Sequence, residues 1–150
     1  GMIHRFAILA LIAVFGTTGC GGSNPVEPPP PPAGSIPESE PNDVTAQVIG
    51  ALDATDKVVA GTAGGRNDVD LFSVTLTAPG SLYMSLGWTG AQDLEVGVTD
   101  QNGIVIRNQD TPTGNPEQCT VTGRAAGTYR VRVGSRSSTS VAYVLTIGRR

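Results

Sequence analysis

The chain has 150 residues, only 15% of them charged and 5% aromatic, with 20 glycines and 11 prolines, a composition that suits one small secreted β domain. Its single histidine, His4, lies in the N-terminal segment, so the remainder can build neither Ser-His-Asp or Cys-His catalysis nor the usual zinc constellations. A net charge of −3 with no basic stripe argues against nucleic acid as a partner.

Gly1 ahead of Met2 is read as a cloning remnant. His4 and Arg5 make a weakly basic start, and Phe6 to Phe15 is an unbroken apolar run of ten residues. That is too short to span a bilayer as a helix, but it suits the core of a signal peptide. Gly16-Thr17-Thr18-Gly19-Cys20 follows, and a small residue before a cysteine here resembles the lipobox of bacterial lipoproteins. Residues 1–19 are therefore read as the signal peptide and Cys20 as the lipidated residue that ties the protein to a membrane. A plain signal peptide with an incidental cysteine is the alternative. Acyl chains contribute about 0.8 kcal/mol per buried methylene, enough for several together to anchor the protein stably. Gly21 rather than Asp after the cysteine resembles the sorting signal for an outer membrane. Losing Arg5 leaves nine basic residues against 13 acidic ones, a net charge of −4.

Residues 20–37 read as a tether. The run Pro28 to Pro32 favours polyproline II, which rises about 3.1 Å per residue and resists collapse, so its expected work is to hold the domain off the membrane. Such a run can also be a ligand for an aromatic groove, although the spacer reading is preferred. The domain is expected over residues 38–150.

It begins with Glu38-Ser39-Glu40-Pro41-Asn42-Asp43, to be read with Asp68 and Asp70 further on. If Pro41 keeps the segment extended, Glu38, Glu40 and Asn42 share one face, as do Asp68 and Asp70 in the next strand. Oxygen ligands at this density suit a hard cation, with calcium the expected one. The bland alternative is a turn or helix cap at Asn42-Asp43 with solvated linker charge around it. Asn67 is a reserve ligand.

One helical turn is expected after Asp43, through Gln47. Alternation then takes over. Val58 and Ala60 share a face; Phe72, Val74 and Leu76 point inward, as do Leu82, Met84 and Leu86, and then Leu94, Val96 and Val98 with Glu95 and Thr99 outward. Asn102-Gly103 is a strong hairpin signal, with Ile104 and Ile106 continuing inward, and Asn108 to Pro116 reads as a polar loop. Cys119 and Val121 share a face; Tyr129, Val131 and Val133 point inward, opposite Arg130 and Arg132, and Tyr143, Leu145 and Ile147 complete the set. Eight or nine short strands at hairpin spacing predict an all-β fold, an antiparallel sandwich of jelly-roll type. Cys119 has no disulfide partner once Cys20 is acylated and is expected as a buried, inert thiol. Arg130 and Arg132 read as a solvated face or a guard against edge pairing. Tyr83 on a polar strand face and Trp88 between glycines are candidates for stacking on a sugar or peptide; Trp88 could equally cover the edge of the core.

Glu38 to Asp43, Asp68 to Phe72, Gly127 to Val133 and Tyr143 to Ile147, in this order, resemble the bacterial pre-peptidase C-terminal domain family. The resemblance implies a small, non-catalytic β-sandwich of the kind attached to secreted peptidases. In collagen-binding members it implies calcium held by the acidic linker and strand-leading aspartates, here Glu38, Glu40, Asn42, Asp43, Asp68 and Asp70. The function expected is a calcium-stabilised extracytoplasmic accessory module, not an enzyme, contacting an extracellular protein or polysaccharide. A purely structural domain is one alternative. A glycoside hydrolase using a pair such as Glu38 and Asp68 is another, disfavoured by the lack of aromatic surface to line a cleft.

Overall fold

The computed structural model describes residues 30–109 and 114–150. The expected signal-peptide run, Cys20 and the expected tether as far as residue 29 lie outside the described residues, as do residues 110–113 of the expected polar loop. Ten strands follow in chain order: β1 (Ile36–Pro37), β2 (Gln47–Leu52), β3 (Lys57–Ala63), β4 (Val69–Leu76), β5 (Gly80–Trp88), β6 (Leu94–Asp100), β7 (Val105–Gln109), β8 (Glu117–Arg124), β9 (Gly127–Ser135) and β10 (Val141–Arg149). They form two five-stranded sheets, in the orders β1-β3-β10-β5-β8 and β2-β4-β9-β6-β7. The sheets enclose one apolar core between their inner faces, which makes the all-β, sandwich-like fold.

Strict alternation builds that core. Phe72, Val74 and Leu76 of β4, Leu82, Met84 and Leu86 of β5, and Leu94, Val96 and Val98 of β6 are buried as their period-two spacing predicts. Val131 and Val133 of β9 and Leu145 and Ile147 of β10 close it from either side. Each such side chain contributes about 1.5–3 kcal/mol on burial. Cys119 is buried among them, and burial pushes its thiol pKa up.

Several expectations are corrected. No helical turn follows Asp43 among the described residues; the chain bends at 43–45 and enters β2 at Gln47. The Gln47 side chain instead clamps the linker, accepting from Ser39 N at 2.8 Å and donating to the Pro37 carbonyl at 3.0 Å. The two strands missed by alternation, β1 and β2, pair in parallel with β3 and β4 at the sheet edges. In β3 Val58 and Ala60 do share a face, but it is the outer one; the inward residue is Val59, because three successive apolar residues leave the parity open and pairing with Leu145 decides it. Ile104 is 65% exposed: it closes the Asn-Gly turn, its N–H donating to Asp100 Oδ1, whereas Ile106 packs against the core. The expected loop gives up its first residues to β7, which runs to Gln109. Arg130 and Arg132 guard no edge, since β9 lies between β4 and β6; Arg132 and Arg136 both pair with Glu95.

Candidate metal centre

The site forms where the N-terminal linker crosses the start of β4. Pairing of β1 with β3 carries the chain onward so that Glu38 N–H donates to the Ala60 carbonyl at 2.9 Å. After Glu38 the segment does not stay extended as Pro41 had suggested. The Glu40–Pro41 peptide is cis, and Asn42 N–H folds back onto Glu40 Oε2 at 2.8 Å. On β4, Asp70 occupies the same inward face as Phe72 and is 1% exposed, an unusual place for a carboxylate.

Glu40, Asp43, Asp68 and Asp70 each bring one oxygen to within 4.8 Å of the others, a group that could hold a metal ion. Two oxygens on one calcium ion at 2.3–2.6 Å can lie at most about 5 Å apart, so the spread fits a single cation. All the ligand atoms are hard oxygens. A second observation agrees. Asn42 is also 1% exposed, and its Oδ1, like Asp70 Oδ1, is buried with no hydrogen-bond partner. An unpaired buried acceptor is costly, and a cation would satisfy both.

Glu38 stands outside the group of four. Its Oε2 accepts from Thr62 N–H at 2.7 Å, and its Oε1 accepts from Asn42 Nδ2 at 3.1 Å and the Tyr143 hydroxyl at 2.9 Å. Glu38 therefore fixes Asn42 in place. Asp68 Oδ2 accepts from Gly64 N–H. Asn67, with φ of 72°, turns the backbone into Asp68, a conformation Asn tolerates better than most side chains.

Tyr143 is the residue that the alternating pattern concealed. It reads as core, yet its hydroxyl lies 2.8 Å from Asp70 Oδ2 as well as 2.9 Å from Glu38 Oε1. A phenol has one proton, so it can donate to only one carboxylate at a time; a protonated Asp70 would supply the other bond. Burial pushes the Asp70 carboxyl pKa up to about 8, the Tyr143 bond opposing it and the charges of Glu38 and Asp68 adding to it. Burial, reinforced by Asp70 and Glu38, also drives the Tyr143 pKa upward. Across the sheet Tyr143 faces Gly61. A Cβ on Gly61 would lie 2.5 Å from the phenol oxygen, so the glycine leaves the space the ring fills. Nothing local marks either residue; the signal is their register.

Tyr83 and Trp88 are not brought together. Five residues apart on β5, they are separated by roughly 16 Å. The Tyr83 ring is covered by the Arg150 guanidinium at 4.6 Å, itself bonded to Asp56 at 2.6 and 2.8 Å. Trp88 ends β5 rather than standing in a loop, packs on the core, and donates Nε1–H to the Gln92 carbonyl at 2.8 Å.

The family model described as the bacterial pre-peptidase C-terminal domain matches residues 68–135. The pre-peptidase C-terminal domain of a collagenase from Bacillus anthracis superposes with a TM-score of 0.57 at 13% identity, covering 73% of this chain and 99% of that one. A mitogen from Yersinia pseudotuberculosis aligns at a TM-score of 0.49 and 15% identity, over 65% of this chain and 88% of its own. PliG of Aeromonas hydrophila, a periplasmic inhibitor of g-type lysozyme, does so at 0.45 and 18%, over 70% and 99%. No curated protein matches the chain.

Proposed function

We propose that this chain is a non-catalytic, calcium-stabilised accessory module, carried outside the cytoplasm on a lipid anchor at Cys20 and contacting an extracellular protein or polysaccharide. The observation that carries the calcium reading is the meeting of four carboxylates, with buried, unpartnered oxygens on Asp70 among them and on Asn42 in the same linker. Glu40, Asp43, Asp68 and Asp70 would be ligands, Asn42 Oδ1 a fifth, and Glu38 would orient Asn42. The ion would supply the positive charge that lets these groups ionise together, pinning the linker to the start of β4. The family match over β4 to β9 supports an accessory rather than a catalytic role. The anchor places the module in the cell envelope, on the outer membrane where the organism has one.

A purely structural reading has its own support. The linker is already held by Gln47, Glu38 and Asn42, and in this reading the cation's work is completed when that segment is rigid. Melting in millimolar calcium and in chelator tests the site. An identical melting temperature and linker cleavage rate in the two conditions would refute it. Pull-down of secreted proteins and polysaccharides by the soluble domain separates a binding module from a structural one.

A further inference from the structure

The outer face of the β1-β3-β10-β5-β8 sheet carries an open groove of about 810 Å³. Its floor is set by register. Val144 of β10 lies between Ala60 of β3 and Gly87 of β5, and Ala142 lies beside Thr62. These positions alternate with the buried Val59, Leu86 and Leu145, so they face outward, and their small side chains leave the sheet surface low. Trp88 and Pro116 border the groove on the β5 side and Pro37 on the β1 side.

The tether returns onto this surface. Ser35 N–H donates to the Pro32 carbonyl at 3.1 Å, and Gly34 has φ of +81°, the signature of a turn that needs glycine at its third position. The turn precedes β1, and beyond it Pro30 and Pro31 line the groove. Flat proline surfaces around a shallow apolar trough suit a polyproline II segment, which arrives stiff and loses little entropy on docking. Length agrees. Five prolines at about 3.1 Å each span about 15 Å. The distance from β1 across β3 and β10 to β5 is about 14 Å at the usual strand spacing.

We propose that this groove is a polyproline II seat, and that its occupant is the chain's own proline run, Pro28 to Pro32. Seating shortens the free spacer to the residues before Pro28 and holds the domain near its attachment point. The apolar floor is then closed to other ligands while the run is seated.

Trp88 is the only tryptophan in the chain and is among the residues bordering the groove at the end of β5, so its fluorescence reports on that end. The full chain should be compared with a variant carrying Pro28→Gly, Pro29→Ser, Pro30→Gly, Pro31→Ser and Pro32→Gly, none of which touches the core. The expected result is at least a twofold rise in acrylamide quenching and a red-shifted emission in the variant. Excess free peptide spanning residues 26–34 should reverse both. Adding Val144→Glu to that variant should abolish the peptide's effect, while circular dichroism shows the sheets intact. Equal quenching and emission in the two chains would overturn the proposal, and so would a peptide without effect on the proline variant. Protection seen only at concentrations where the chain sediments as a dimer would make a second copy's run the occupant and overturn the intramolecular seat.

Discussion

Asp70→Asn should separate the metal centre from the fold that carries it. The substitution keeps the size of the side chain and an acceptor for the Tyr143 hydroxyl, but removes the charge from the most buried of the four carboxylates. At a hundred times its dissociation constant, calcium should stabilise the native chain by about 2.7 kcal/mol. The unfolding entropy is about 2.1 cal/mol/K per residue, so for about 110 residues this shifts the melting temperature by about twelve degrees. In Asp70→Asn most of that shift should vanish. In chelator, however, the variant should melt no lower than the native chain, and higher at alkaline pH, because an amide costs less to bury than a carboxylate. Glu95→Gln is the control. It loses the pairs to Arg132 and Arg136 and should melt slightly lower, but its calcium shift should be unchanged. Differential scanning calorimetry with and without chelator measures all three. A full calcium shift in Asp70→Asn, or an equal loss in Glu95→Gln, would refute the assignment.

Asp70 also predicts a pH dependence. With its folded pKa raised to about 8 from 3.8, the native state holds a proton that the unfolded chain has released, so in chelator stability should fall as pH rises from about 4 to about 8. In calcium titrations the sign reverses: acid should weaken binding, by up to tenfold per unit below about 8 for one displaced proton. A flat chelator profile would contradict the buried carboxyl. Gly61→Ala puts a methyl 2.5 Å from the Tyr143 phenol and should cost about 1–3 kcal/mol by overpacking, together with weaker calcium binding as the Tyr143 hydroxyl leaves Glu38 and Asp70; wild-type melting would show the ring has room to move. Cys119→Ser should cost about 1–3 kcal/mol, and rapid labelling of Cys119 by a thiol reagent in the folded chain would contradict its burial. Cys20→Ala should abolish incorporation of labelled fatty acid, and unchanged labelling would remove the anchor from the proposal.

Alternation is a local property, and it carried most of the fold. A strand with one buried face must repeat every two residues, so Phe72-Val74-Leu76 and Leu82-Met84-Leu86 announce both a strand and its inward side without any partner. The acidic run and the Asp68-Asp70 pair were legible for a similar reason, since hard oxygen ligands crowd together in few other settings. What the chain could not state alone was register. Val58, Val59 and Ala60 read equally well in either parity until β10 pairs with β3 and turns Val59 inward. Strands β1 and β2 have too little pattern to be seen, and exist because β3 and β4 offer them open edges. Tyr143 looks like any other core residue, and joins the acidic cluster only when Gly61 lies opposite it and the linker lays Glu38 over its hydroxyl. These contacts join residues up to 105 positions apart. No window on the sequence contains both partners, and the pairing of the sheets is what brings them together.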